Sequence, residues 1–115
     1  MAIEKVREYF ESFGAAARIR EFDVSSATVS LAAQALGCEA AHIAKTLAFF
    51  TPQGPALIVA AGDAKVDNAK FKNAFHTKAK MLTPEEVVDL VGHAVGGVCP
   101  FAIKEDVAVY LDCSM

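Results

Sequence analysis

The sequence predicts an α+β domain in which a mixed β-sheet curls against several helices. Apolar residues recur at helical spacing in several short, separate segments. Two apolar runs flank the turn-forming stretch Thr51-Pro52-Gln53-Gly54-Pro55, as the arms of a buried hairpin would. Neither GxGxxG nor GxxxxGK(S/T) occurs, which argues against a doubly wound nucleotide-binding fold.

The elements follow in order. Ile3, Val6, Phe10 and Phe13 define an amphipathic helix over residues 2–13, stopped by Gly14. Residues 16–23 mix Ile19 and Phe22 with Arg18, Arg20 and Glu21, and read as a partly exposed strand. Ser25, Ser26 and Thr28 are candidate caps for a helix in which Val29, Ala32, Ala33 and Leu36 form one face before Gly37. A helical turn over residues 39–44 delivers Lys45 to the first hairpin run, residues 46–50; the second spans residues 56–61 and ends at Gly62-Asp63. Asp67 caps a third helix through Phe75, with Val66, Ala69, Phe71 and Ala74 available for packing. Residues 78–82 alternate as a short strand. Thr83-Pro84-Glu85-Glu86 joins an N-cap threonine, an N1 proline and an N3 glutamate in a capping box for a helix through Val91. Residues 107–111 form the last strand.

The 115 residues are 54% apolar, enough for the core of one compact soluble domain. No run approaches the ~20 apolar residues that span a bilayer, and the amino terminus lacks the apolar core and cleavage site of a signal peptide, so the expected location is the cytoplasm and no membrane contact is expected. Cys38, Cys99 and Cys113 form no CxxC pair, and with His42, His76 and His93 they match no usual ligand spacing; neither a metal nor a cofactor is expected. The net charge of −3 disfavours a general nucleic-acid binder, yet Lys65, Lys70, Lys72, Lys78 and Lys80 cluster in one segment. Such a cluster is either a local phosphate-docking face or a solvated lysine-rich helix with its flanks.

Two places could carry chemistry. Lys45 can aim its ammonium into a cleft beneath the sheet, binding a phosphate or polarising a carbonyl, or it can snorkel to water. The run Gly92-His93-Ala94-Val95-Gly96-Gly97-Val98-Cys99-Pro100-Phe101 is neither helix nor strand; its glycines and proline define a loop able to present backbone N–H groups. Within it, Cys99 is a nucleophile with His93 as its base, or a structural thiol in a glycine turn, the commoner arrangement. His93 fits a loop-anchoring donor equally well.

Ile43-Ala44-Lys45-Thr46-Leu47 with Phe49, Gly62-Asp63 with Val66-Asp67, Gly92-His93 with residues 96–101, and Val109-Tyr110-Leu111-Asp112 occur in the order and spacing of the YbaK/ProX family. The chain resembles these aminoacyl-tRNA editing deacylases over essentially its whole length. The resemblance implies a mixed, largely antiparallel, barrel-like sheet surrounded by helices. It implies hydrolysis of mischarged aminoacyl-tRNA, typically tRNA(Pro) carrying alanine or cysteine, by a stand-alone domain related to the editing insertion of prolyl-tRNA synthetase. Lys45 matches the central functional residue. The residues matching the pocket are Gly96, Gly97, Val98, Cys99, Pro100 and Phe101, with Phe22, Thr46, Gly92, His93 and Asp112 beside them. A ribose hydroxyl of the terminal adenosine replaces an enzymatic nucleophile, which suits an ester needing mainly positioning and charge stabilisation. The implied partners are the acceptor end of aminoacyl-tRNA and an aminoacyl-tRNA synthetase; the alternative is a binding module that holds such esters without cleaving them.

Two departures stand out. Ala102 occupies a position where family members often carry glycine. Members also continue past the strand matching Tyr110 to Asp112 into another loop, a strand and often a helix. The expectation is therefore one editing domain over residues 1–115 lacking those C-terminal elements, either as a fragment or as a chain completed by a partner. Amino-acid selectivity and oligomeric state are left open.

Overall fold

A computed structural model describes residues 2–22, 28–94 and 97–115. The elements are α1 (Ala2–Glu11), α2 (Val29–Leu36), β1 (Ala44–Thr51), β2 (Gly54–Ala61), α3 (Asn68–Phe75), α4 (Pro84–Leu90) and β3 (Ala108–Leu111), with 3₁₀ turns at Ala16–Arg18 and Ala40–His42. The sheet order is β1-β2-β3. β1 and β2 form the expected hairpin, closed by Thr51 opposite Gly54, and β3 joins β2 in parallel. A parallel neighbour needs a long crossover. The segment carrying α3 and α4 supplies it.

Strand pairing sorts the side chains onto two faces. Lys45, Leu47 and Phe49 lie opposite Ala60, Ile58 and Ala56, and the last two pair with Tyr110 and Ala108. This face receives α3 through an aromatic chain: Phe49 to Phe71 at 5.0 Å between ring centroids, Phe71 to Phe75 at 4.6 Å, and Phe75 edge-on to Tyr110 at 5.0 Å. The other face builds the main core, in which Ala48 and Leu57 pack with Leu82, Val87, Val91 and Val107. Leu57 is wholly buried. Burying a leucine of that kind stabilises by ~1.5–3 kcal/mol.

Local chemistry sets the helix ends. Thr28 accepts from the Leu31 N–H at 3.1 Å to open α2, and Gly37 closes it at φ 69°. Asp67 Oδ1 accepts from the Lys70 N–H at 3.1 Å to open α3. At α4 the capping box is complete: the Glu86 N–H donates to Thr83 Oγ1 at 3.2 Å, and the Thr83 N–H donates to Glu86 Oε1 at 3.0 Å. The candidate caps Ser25 and Ser26 lie outside the described residues.

Four expectations are corrected. The sheet is mixed, but it is an open three-stranded sheet and not barrel-like, since three strands are too few to close on themselves. Residues 16–22 are not a strand: the alanine-rich start closes a 3₁₀ turn through Arg18 N–H to Ala15 O at 3.0 Å. No strand forms over residues 78–82. Instead the Phe50 N–H donates to Lys80 O at 2.9 Å, the Leu82 N–H donates to Ala48 O at 3.0 Å, and Met81 bridges Phe49 before the Thr83-Pro84 cap ends the pairing. In α3 only Phe71 is buried; Val66, Ala69 and Ala74 are exposed, because the helix meets the sheet along its aromatic stripe.

Thr83→Ala is expected to lower the unfolding free energy by ~1 kcal/mol in urea titrations, the usual value of an N-cap. Hydrogen bonds from the Thr83 backbone N–H and then its hydroxyl hold the Glu86 carboxyl below its ordinary value. Its folded pKa is thus below the unfolded one, about 4.3. The stabilisation is complete above that unfolded value and is lost as pH falls through the folded value. Glu86→Gln should therefore lose less stability on acidification than the native chain, measured by urea midpoints at neutral and acid pH.

Candidate functional site

Lys45, the second residue of β1, stands between two clefts. The first, about 520 Å³, lies between the α3 side of the sheet and the segments carrying Ala64, Lys65 and Asp112. The second, about 390 Å³, lies between α2, β1 and the start of α4, with Thr46, Leu82 and Val98 in its walls. Lys45 lines both. Its ammonium donates to the carbonyl of Gly62 at 3.4 Å and to that of Ala64. Those carbonyls belong to the turn after β2, brought within reach because Lys45 pairs with Ala60 across the hairpin. An ammonium carries three donors and no acceptor. Among the described residues two donors fix its position, leaving the third for a ligand, and neutral carbonyls do not cancel the charge.

Gly62 also permits a close approach. A Cβ there would stand 2.3 Å from Ala40 O and 2.6 Å from Val29 Cγ1, so any side chain would push the turn away from α2. The sequence marks Gly62-Asp63 only as the end of a strand; its role in seating Lys45 follows from the backbone path.

The glycine loop is anchored from beneath. Gly92 leaves α4 at φ 102°. His93 is 1% exposed, and its Nε2 lies 2.7 Å from Phe101 O. A carbonyl only accepts, so Nε2 carries the proton and donates it to Phe101. Nδ1 is buried with no partner among the described residues. Cys99 Sγ lies 3.7 Å from that same Nε2 and also donates to Phe101 O at 3.6 Å. A protonated Nε2 cannot take the thiol's proton. Burial pushes the Cys99 thiol up from its ordinary value, against a weaker lowering by the Phe101 backbone. Cys99 and His93 are therefore not arranged as nucleophile and base. The loop's far end is pinned by Phe101, whose ring meets Phe10 of α1 edge-on at 4.7 Å.

The sequence model of the aminoacyl-tRNA editing domain matches residues 23–115. The chain belongs to that family. It is 46% identical over 116 residues, covering all of this chain and 74% of its relative, to the uncharacterized protein YwhH of Bacillus subtilis (strain 168). It is 39% identical over 57 residues, 49% of this chain and 10% of the relative, to the proline–tRNA ligase of the same organism. Among solved structures it superposes on a candidate trans-editing enzyme for prolyl tRNA synthetase with a TM-score of 0.85 at 32% identity, covering 96% of this chain and 71% of that one. It superposes on the hypothetical protein APE2540 with a TM-score of 0.80 at 28% identity, covering 94% and 73%.

In this editing domain, Lys45, Thr46 and Val98 meet at the second cleft, and Lys45 and Asp112 meet at the first. Asp112 keeps its carboxyl below the ordinary range through hydrogen bonds from the Ser114 side chain and backbone. Phe22 lies apart from both clefts, under the Arg20 guanidinium at 5.4 Å. His93, Cys99, Pro100 and Phe101 line neither cleft; Gly92 serves the helix end, and the Gly97 N–H closes a turn onto Ala94 O at 2.9 Å. Gly96 lies outside the described residues. The carbonyls of Gly62 and Ala64 escaped the sequence reading, whereas Lys65 and Lys70 belong to the lysine segment read as either a phosphate-docking face or a solvated helix, and Tyr110 to the family motif of residues 109–112.

Ala102 adopts φ 54°, the left-handed region that disfavours a Cβ. Ala102→Gly should raise the unfolding free energy by ~0.5–1 kcal/mol, strain relief outweighing the entropy that glycine adds to the unfolded chain. Alkylation with iodoacetamide followed by mass spectrometry at neutral pH should label exposed Cys113 first and Cys99 much later. Equal rates at the two would show that the Cys99 thiol is not suppressed.

Proposed function

We propose that the chain is a trans-acting aminoacyl-tRNA deacylase that hydrolyses mischarged tRNA(Pro), with alanine or cysteine as the amino acid removed, in the cytoplasm. The observation that carries this reading is the Lys45 ammonium, held by two backbone carbonyls at the junction of two clefts. Membership of the editing family, the partial match to a proline–tRNA ligase and the likeness to a candidate trans-editing enzyme for prolyl tRNA synthetase support it.

The chemistry asks little of the protein beyond placement. Water adds to the ester carbonyl carbon, and the carbonyl oxygen takes on negative charge. The bond from that carbon to the ribose oxygen then breaks, releasing the free amino acid and restoring the ribose hydroxyl, which takes a proton. The neighbouring ribose hydroxyl orients the water. Lys45 stabilises the developing charge on the ester or anchors the terminal adenosine's phosphate, and the glycine loop bounds the amino acid where Val98 enters the second cleft. Thr46, Val98 and Asp112 complete the walls, and Gly92, His93, Pro100 and Phe101 hold the loop in shape. No nucleophilic side chain is required, in keeping with the protonated, half-buried Cys99.

Lys45→Ala should reduce kcat/KM on alanyl- and cysteinyl-tRNA(Pro) by ~100-fold or more, the usual cost of removing a charge-stabilising donor. Its circular dichroism and urea midpoint should stay near those of the native chain. Lys45→Met keeps the aliphatic stem and should be equally inactive, separating loss of charge from loss of packing. Full activity in either variant on a panel of mischarged tRNAs would sink the proposal. Binding of those tRNAs by the native chain without turnover would favour the non-catalytic module instead.

A further inference from the structure

We propose that the first cleft seats the single-stranded 3′ end of the tRNA, with one base stacked on Tyr110 and the flanking phosphates held by Lys65 and Lys70. The inference rests on the deacylase reading and extends it from the reacting ester to the nucleotides behind it.

The cleft shares Lys45 with the ester site, so a chain whose terminal ester reaches Lys45 has its preceding nucleotides beside it. Its volume of about 520 Å³ falls in the range of small-ligand sites. Tyr110 is 45% exposed in its wall. The edge of Phe75 holds the ring at 84° and 5.0 Å, and Phe75 rests in turn on Phe71. A ring braced in this way loses little freedom when a base stacks on it. Stacking accepts any base and is characteristic of single-stranded RNA, whose bases are unpaired.

The charges agree with a phosphate occupant. Lys65 directly follows Ala64, whose carbonyl accepts from Lys45, and Lys70 lies in the first turn of α3. Both are exposed, and Lys70 adds its charge to the Ser114 hydrogen bonds that hold Asp112 below its ordinary range. Three lysines and two aspartates line the cleft, a locally positive spot on a chain of net charge −3. Of the two carboxylates, Asp67 is engaged as the cap of α3 and Asp112 accepts from the Ser114 N–H at 3.0 Å. The remaining lysines of the basic segment, Lys72, Lys78 and Lys80, line neither cleft.

The test is fluorescence anisotropy of an acceptor-stem RNA ending in a single-stranded CCA, titrated at several salt concentrations. Lys65→Ala/Lys70→Ala should weaken binding about tenfold near physiological salt and reduce the slope of log affinity against log salt by about 1.4, at ~0.7 per single-strand phosphate. Tyr110→Ala should weaken binding about tenfold with the slope unchanged, while Tyr110→Phe should bind as the native chain does. Lys72→Ala/Lys78→Ala removes the same charge outside the cleft and should leave affinity and slope close to native. Trimming the CCA from the RNA should abolish the difference between the two double variants. If Lys65→Ala/Lys70→Ala matches the Lys72→Ala/Lys78→Ala control on the CCA-ended RNA, the assignment is overturned. RNA binding with the predicted slopes but no ester hydrolysis by the native chain overturns the deacylase reading alone.

Discussion

Everything at the site hangs on the register between β1 and β2. Thr51 faces Gly54 across a two-residue turn, with Thr51 Oγ1 donating to Gly54 O at 2.7 Å and accepting from the Gln53 N–H at 3.3 Å. Six residues back along β1 this pairing sets Lys45 opposite Ala60, beside the turn where β2 ends. A slip of β1 by one residue would turn Lys45 toward the main core and Ala48 away from it. Core burial and the placement of Lys45 therefore cannot be altered separately. The sheet's hydrophobic alternation, normally a matter of stability, is here also what aims the cation.

That coupling explains how a half-buried lysine is held by backbone carbonyls, with no carboxylate partner among the described residues. A salt bridge would neutralise the group, whereas the Gly62 and Ala64 carbonyls satisfy two donors and leave the charge whole. At about 4 Å and an effective dielectric near 20, a unit charge attracts an anion by about 4 kcal/mol. An anchored ammonium gives up less conformational entropy when charge develops beside it than a free side chain would. The cost falls on the backbone: the turn must pass so close to α2 that position 62 has no room for a Cβ. The glycine, the lysine and the hairpin thus form one device spread over three sequence segments.

The parts of the fold governed by neighbours in sequence were the legible ones. The α4 capping box, the Asp67 cap, the Gly37 helix end and the Pro52–Gly54 turn each bring their chemistry within a few residues, and each was read correctly. Residues 16–22 and 78–82 depend on distant partners. The first segment finds no sheet edge, and the second meets the outer edge of β1 for a single bridge before Pro84 interrupts it. The site divides in the same way. Lys45 was legible as a lysine entering an apolar strand, and Thr46 and Asp112 fell beside it through the family pattern. The carbonyls that hold its ammonium carry no side-chain signature, and Lys65 and Lys70 looked no different from three lysines that lie outside the clefts.

The glycine loop shows how one set of residues can suggest two chemistries and support only one. Cys99 and His93 are near enough to suggest a catalytic pair, at 3.7 Å. The deciding contact is the shorter one, 2.7 Å from the same ring nitrogen to Phe101 O, because a carbonyl requires that nitrogen to hold its proton. His93 is thereby spent on structure, tying the loop's exit to its entry from inside the core, and the Phe10 ring clamps Phe101 from outside. Residues 97–101 are thus held by the His93 and Phe10 contacts, with Ala102 in the left-handed region at the exit. The buried imidazole and the α1 aromatic ring therefore fix this part of the loop although neither lines a cleft.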